Sequence, residues 1–201
     1  MIKTLIFDLG GVYFTDGTGS TPGKFRQLFD IPDAKTHEVL NGPLGMWYRM
    51  GLLPEEAFWR EAQAIFGTDL DFRRLRDVWL SGYVPIDGTV DLIENLKDNG
   101  YEILYLSDNV AERIAYLEDK YRFMQHFHSG VFSYAANMLK PDIGIYKLVL
   151  RSTKSSPSEC VFIDDKEKFL VPARTLGMKA VLFQDPLQIR DDLVSLGVAF
   201  G

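Results

Sequence analysis

The segment Ile2-Lys3-Thr4-Leu5-Ile6-Phe7-Asp8-Leu9-Gly10-Gly11-Val12 constrains this chain more than any other. An apolar run stops at a carboxylate, and two glycines follow. Apolar residues in succession, without polar alternation, predict a strand at Thr4–Phe7 that is buried on both faces, as in parallel sheets covered by helices. In open α/β sheets ligands gather beyond the carboxyl ends of strands, where Asp8 falls. Glycine next to it lets a backbone approach a bound anion. Asp8 is therefore the first candidate for the centre of chemistry, although an Asp in this place also serves as a plain turn cap.

The rest of the chain repeats this strand character at Ile103–Leu106, Gly130–Tyr134, Val161–Ile163 and Ala180–Phe183. Helical periodicity fills the intervals at Thr89–Asn99, Val110–Tyr121, Asp142–Ser152 and Lys166–Leu176. Asn99-Gly100 and Gly177 are stop signals for the first and last of these. Alternating strands and helices predict an α/β fold with a parallel sheet covered on both faces.

Asp16–Tyr83 breaks the rhythm and contains no convincing strand. It reads as helices at Lys24–Phe29, Lys35–Asn41, Pro54–Phe66 and Asp71–Leu80. Pro54 suits a first helical position, and Glu55 and Glu56 suit the positive end of the helix dipole. Of its aromatics Phe25, Phe29, Trp47, Tyr48, Phe58, Trp59, Phe66, Phe72, Trp79 and Tyr83, most are expected to pack a small helical core and some to face a ligand cleft. Asp16–Gly23 and Pro85–Gly88 read as hinges. The predicted organisation is a core of residues 1–15 and 86–201, interrupted by a helical insert of residues 16–85.

The 201 residues, 46% of them hydrophobic, are enough for one core and a smaller insert. A formal net charge of −6 argues against nucleic acid as a partner. No apolar run is long enough for a bilayer, and the N-terminal residues lack a basic region followed by a long apolar stretch. The expected location is cytoplasmic, without a membrane partner, for a monomer or homodimer. Cys160 is the single cysteine and precedes an apolar run, so it reads as core. His37, His126 and His128 are scattered with no cysteine beside them, which argues against zinc.

Further polar features lie at or just past the predicted strand ends: Ser107-Asp108-Asn109, Lys140-Pro141-Asp142 and Asp164-Asp165. Each alone is compatible with helix capping or a solvated surface. A parallel sheet gathers them on one edge with Asp8. Crowded carboxylates repel unless a cation neutralises them. Oxygen-only ligands suit Mg²⁺, which also takes substrate phosphate. Ser107 and the amides opening its helix suit phosphate oxygens.

Asp8 in its strand-Asp-Leu-Gly-Gly-Val context, Ser107, Lys140-Pro141 and Asp164-Asp165 resemble, in order and spacing, the motifs of the haloacid dehalogenase-like hydrolase superfamily. The insert, with Trp47-Tyr48-Arg49-Met50-Gly51, resembles its helical cap. The resemblance implies a Rossmann-like core with the first strand central, and a Mg²⁺-dependent phosphatase acting on a small phosphorylated metabolite, sugar phosphates included. It implies Asp8 as the nucleophile that becomes an aspartyl-phosphate, with Ser107 bonding the phosphoryl group and Lys140 neutralising charge. Mg²⁺ would be held by Asp8, the Gly10 carbonyl, Asp164 and Asp165. Leu9, Gly10, Asp108, Asn109, Trp47, Tyr48 and Arg49 are the candidate substrate contacts.

Two positions depart from the family pattern. Its phosphatases usually carry a second Asp two residues after the nucleophile, as general acid and base; here Gly10 stands there. Slow turnover is expected, or preference for substrates with good leaving groups, with Asp16 as a candidate substitute acid. The family also often has Asn or Asp where this chain has Phe169, so Lys140 needs other support. The alternatives are a non-catalytic phosphate-binding member and a dehalogenase; the latter has no use for the acidic pair Asp164-Asp165.

Overall fold

The computed structural model describes residues 1–201. Five parallel strands form one sheet: β1 (Thr4–Phe7), β2 (Glu102–Ser107), β3 (Ser129–Phe132), β4 (Cys160–Asp164) and β5 (Lys179–Leu182), in the order β3-β2-β1-β4-β5. β1 is central, as expected. Its register pairs Phe7 with Tyr105 of β2 and with Ile163 of β4. The next residue, Asp8, donates its N–H to the Ile163 carbonyl at 2.9 Å. Asp8, the end of β2 and the end of β4 therefore stand side by side on the carboxyl edge.

Side chains on a strand alternate between faces, and β1 divides accordingly. Leu5 and Phe7 join an apolar cluster with Leu92, Ile93 and Leu96 of α6 (Asp87–Asp98), Ile114 and Leu117 of α7 (Ala111–Tyr121), and Ile189 and Leu193 of α11 (Pro186–Ser195). Ile6 joins the opposite cluster, with Ile145, Tyr146 and Val149 of α9 (Ile143–Arg151) and Leu170 and Ala173 of α10 (Glu167–Thr175). Both faces are covered, which explains why the strands read as continuous apolar runs.

Between β1 and α6 lie α1 (Gly17–Phe29), α2 (Asp33–Asn41), α3 (Pro43–Arg49), α4 (Glu55–Phe66) and α5 (Phe72–Leu80). Their buried residues form a separate aromatic cluster around Phe25, Phe58, Trp59 and Trp79. Tyr48 belongs to it, stacked on Phe58 with ring centroids 4.2 Å apart. Where the chain enters and leaves this insert, the two strands of backbone are paired. Phe14 bridges Pro85 antiparallel, and Thr15 N–H reaches the Val84 carbonyl at 2.9 Å.

Several expectations need correction. Asp16–Gly23 is not a hinge loop: α1 begins at Gly17, and Asp16 caps it, Oδ1 accepting from Gly19 N–H at 2.8 Å. A short N-cap residue supplies the acceptor the first turn lacks. β3 stops at Phe132, and Ser133–Ala136 turn into the short helix α8 rather than continuing the strand. Helices α3 and α11 were not expected from periodicity.

Candidate active site

Lys140 is the hub of the carboxyl edge. It is 4% exposed, and its Nζ lies 2.6 Å from Asp164 Oδ2 and 2.9 Å from Asp8 Oδ1. Its backbone N–H donates to Asp108 Oδ1 at 3.0 Å. Burial by itself would lower the ammonium's pKa, but Asp164, Asp8 and Asp108 outweigh it and hold the group well above the ordinary lysine value. Phe169 does not leave Lys140 loose. Its ring centroid is 4.9 Å from Nζ, with Phe162 at 5.7 Å on the β4 side. The Phe169 carbonyl accepts from Tyr146 Oη at 2.7 Å, which fixes the start of α10 beside the lysine. An aromatic face attracts a cation without competing for its protons, so Lys140 keeps its donors for the aspartates.

Asp8, Asp164 and Asp165 each present a carboxylate oxygen, and these oxygens lie within 4.8 Å of one another. Burial pushes the Asp164 carboxyl up to about 7, with Lys140 opposing it. Burial also raises Asp165 and Asp108. Three carboxylate oxygens converging at this spacing, with Asp164 and Asp165 made harder to ionise by burial, fit a small divalent cation, whose charge reverses that penalty. The backbone is shaped to keep the cluster open. Gly11 has φ +90°, and a Cβ there would stand 2.5 Å from Asp165 Oδ2. The turn before it is held by the Leu9 carbonyl, which accepts from the N–H groups of Tyr13 at 2.9 Å and Phe14 at 2.8 Å.

A cleft of about 520 Å³ opens above this edge, between the core and the helical insert. That volume lies in the range of small-molecule sites. Asp8, Gly10, Asp108, Asn109, Lys140 and Arg49, all singled out in the sequence, line it, as does Asp16. Leu9 does not: its side chain is fully buried in the core and its role is the turn. Ser107 ends β2, buried beneath Asp108 in the strand and outside the cleft lining. Trp47 and Tyr48 are not brought to the cleft. A helix places consecutive residues about 100° apart, so with Arg49 facing the cleft, Trp47 lies half-exposed outside and Tyr48 is buried inside the insert. Tyr48 instead ties the insert to α7 through its Oη, which donates to Glu112 at 2.9 Å. Ser133 Oγ to the Arg49 carbonyl (2.6 Å) and Asn137 Nδ2 to the Met50 carbonyl (2.8 Å) are further ties.

Tyr83, one of the insert's aromatics, faces the cleft, and Arg113 and Lys166, which the sequence did not single out, line it too. For Arg113 a signal existed. It stands four residues after Asn109, the spacing at which helix side chains meet, and its Nη1 donates to Asn109 Oδ1 at 3.1 Å.

A parallel sheet with β1 central, a nucleophile-capable Asp at its end, and a lysine bridging to an acidic pair on the neighbouring strand define a hydrolase of the α/β class. Residues 2–173 match the family model described as "haloacid dehalogenase-like hydrolase", and the chain belongs to that family. It is similar to flavin mononucleotide hydrolase 1 of Arabidopsis thaliana, a chloroplastic protein by name (28% identity, 85% of this chain, 69% of that one). It is also similar to the D-ribitol-5-phosphate phosphatase of Bacteroides thetaiotaomicron (21% identity, 96% and 97%). A solved enzyme of the same family from that bacterium, in complex with magnesium and inorganic phosphate, shares the fold with a TM-score of 0.74 (24% identity, 92% and 95%). The L-2-haloacid dehalogenase of Xanthobacter autotrophicus shares it with a TM-score of 0.67 (18% identity, 99% and 85%). No helix of the chain is long and apolar enough to cross a membrane.

Proposed function

We propose that this protein is a Mg²⁺-dependent phosphatase of small phosphorylated metabolites, with Asp8 as nucleophile. The observation that carries this reading is the convergence of Asp8, Asp164 and Asp165 within 4.8 Å, with Lys140 bonded to two of them. A dehalogenase has no need of that cation-ready cluster. The relatives named as a D-ribitol-5-phosphate phosphatase and a flavin mononucleotide hydrolase support the same reading.

In this reading, Asp8 attacks phosphorus as the P–O bond to the ester oxygen breaks and the alcohol leaves, and water then hydrolyses the aspartyl-phosphate to inorganic phosphate and free Asp8; a carboxylate nucleophile divides one hard displacement into two easier ones. Lys140 orients Asp8 and neutralises charge on the phosphoryl oxygens, and the amides after β2 supply further donors, with Ser107 buried below them at the strand end. Asp8, Asp164, Asp165 and the Gly10 carbonyl would hold Mg²⁺, which would supply the positive charge that phosphoryl transfer demands. Residues 16–85 act as a cap that excludes water and selects the leaving group, moving about the paired segments near Phe14 and Pro85. With Gly10 in place of a general acid, the enzyme favours esters whose leaving group needs no proton.

The test is hydrolysis of para-nitrophenyl phosphate with and without Mg²⁺, in wild type and Asp8→Asn. Metal-dependent release that falls by roughly 10³-fold or more in the variant is expected. Equal turnover by Asp8→Asn, or full activity in a chelator, would remove the reading.

A further inference from the structure

Two ammonium groups of unequal freedom serve the acidic cluster. Lys140 is locked on Asp8 and Asp164, its side chain 1% exposed. Asp165, the third carboxylate of the cluster, is paired with Lys166 instead. Lys166 Nζ lies 3.3 Å from both Asp165 oxygens, and its side chain is 43% exposed. The fold fixes only the backbone end of this lysine. It stands at the N-cap of α10, and its N–H donates to Asp164 Oδ1 at 2.9 Å. A flexible four-carbon stem separates that anchor from the charge, so Nζ can sweep while Cα stays in place.

Asp165 has no such freedom. Its carboxylate is set so close to Gly11 that a Cβ there would stand 2.5 Å from Oδ2. A divalent cation shared by Asp8, Asp164 and Asp165 meets Lys166 as a competitor for one carboxylate, and the lysine is the partner able to move. Its long contacts and exposed side chain make the pair weak. The space open to it is the cleft, which Lys166 lines together with Asp8 and Asp16. Burial by itself would lower the ammonium's pKa, but Asp165, Asp8 and Asp16 outweigh it and raise it. A divalent charge at the cluster repels the ammonium, whereas a phosphoryl group at Asp8 attracts it and offers oxygens for charge-assisted hydrogen bonds.

We propose that Lys166 is a movable counter-ion, which holds Asp165 until a divalent cation takes that carboxylate and then turns into the cleft to bind the phosphoryl oxygens. The assignment rests on the phosphatase reading above and adds a phosphate-binding residue to it. Metal binding and substrate binding are thereby coupled: the cleft gains a free ammonium only after the cluster has gained its metal.

The experiment labels the amines of the wild-type protein with an N-hydroxysuccinimide ester and reads each lysine by mass spectrometry. Three states are compared: in chelator, with Mg²⁺, and with Mg²⁺ plus inorganic phosphate. Lys154, exposed and outside the cleft lining, is the internal reference. Lys166 is expected to label severalfold faster with Mg²⁺ than in chelator, and phosphate should protect it again. Calorimetry gives a second readout. Lys166→Met should bind Mg²⁺ about two- to fivefold tighter, the fold-change that removing a weak competing ion pair allows. The same variant should bind phosphate severalfold more weakly in the presence of Mg²⁺, and Lys166→Arg should bring both values back toward wild type. A variant merely disturbed in structure would weaken both ligands. The wild-type labelling decides even where a variant fails to fold. With Mg²⁺ shown to be bound, unchanged Lys166 labelling, or no protection by phosphate, overturns the assignment and leaves the metal site intact. Unchanged phosphate affinity in a folded Lys166→Met also overturns it. Absence of Mg²⁺ binding by wild type removes the Mg²⁺-dependent phosphatase reading and the assignment with it.

Discussion

Gly10 and Gly11 are neighbours with opposite constraints. A Cβ at Gly10 would have Tyr83 Cε1 at 3.8 Å as its nearest contact, and the backbone there is not left-handed. The position therefore accepts a side chain, and the missing acid is a matter of sequence, not of space. Gly10→Asp should fold normally and speed hydrolysis of alkyl phosphates by up to about 10²-fold, the low end of what general acid help supplies. Aryl phosphates should gain less, and the ratio of the two rates checks this. Gly11 has no such freedom. Gly11→Ala meets both a left-handed φ and the Asp165 carboxylate, so we expect a loss of about 1–2 kcal/mol from the backbone alone, read as a lower urea midpoint, together with a raised Mg²⁺ requirement. The sequence made Asp8, Lys140, Asp164 and Asp165 legible because each follows a recognisable strand or precedes a helix. It did not reveal what holds Lys140. Phe169 looked like a loss, and only packing turns an aromatic ring into a partner for the ammonium.

At the scale of elements, strands were more legible than the helices at the edges of the fold. β1, β2 and β4 are buried on both faces, so their apolar runs have no competing interpretation. Helix α11 hides its period because Leu187 and Val194 are exposed while only Ile189 and Leu193 are buried in it. Helix α3 carries Gly45, normally a poor helix residue. Here it lets α3 pack tightly on the end of α2: a Cβ would stand 2.2 Å from the Leu40 carbonyl. That tight corner also decides which of Trp47, Tyr48 and Arg49 faces the cleft, which linear sequence could not show. The insert rests on its own aromatic core, so Trp59→Ala should cost about 3–5 kcal/mol in chemical denaturation. The Tyr48–Glu112 bond joins insert to core instead. Tyr48→Phe keeps the ring stacking and removes only that tie, so KM for para-nitrophenyl phosphate should rise severalfold while overall stability falls by about 1–2 kcal/mol. Unchanged KM would mean that the insert does not gate the cleft through α7.

For the molecule as a whole, the carboxyl edge makes folding depend on pH in an uncommon direction. Most buried carboxylates are paired and stabilise the native state as pH rises. Here burial raises Asp164 to about 7 and also raises Asp108 and Asp165. Unfolded carboxyls titrate near about 4, so between there and about 7 the native protein holds protons that the unfolded chain has released. Native stability must therefore fall as pH rises through that window. Lys140 acts separately. Its raised folded pKa gives stability that is fully present below the ordinary lysine value, and it is lost only in strongly alkaline solution. The metal-free protein should thus melt at a higher temperature near about pH 5.5 than near about pH 7.5, by about 2–4 °C for each kcal/mol lost. A divalent cation binds the ionised carboxylates, and a ligand that binds only the folded state stabilises it. Mg²⁺ should consequently raise Tm more at the higher pH than at the lower, flattening the profile. Thermal melts in chelator and in Mg²⁺ across this range check both halves. A chelated protein whose Tm does not fall between the two pH values would mean that Asp164 stays ionised throughout, with Lys140 alone neutralising it.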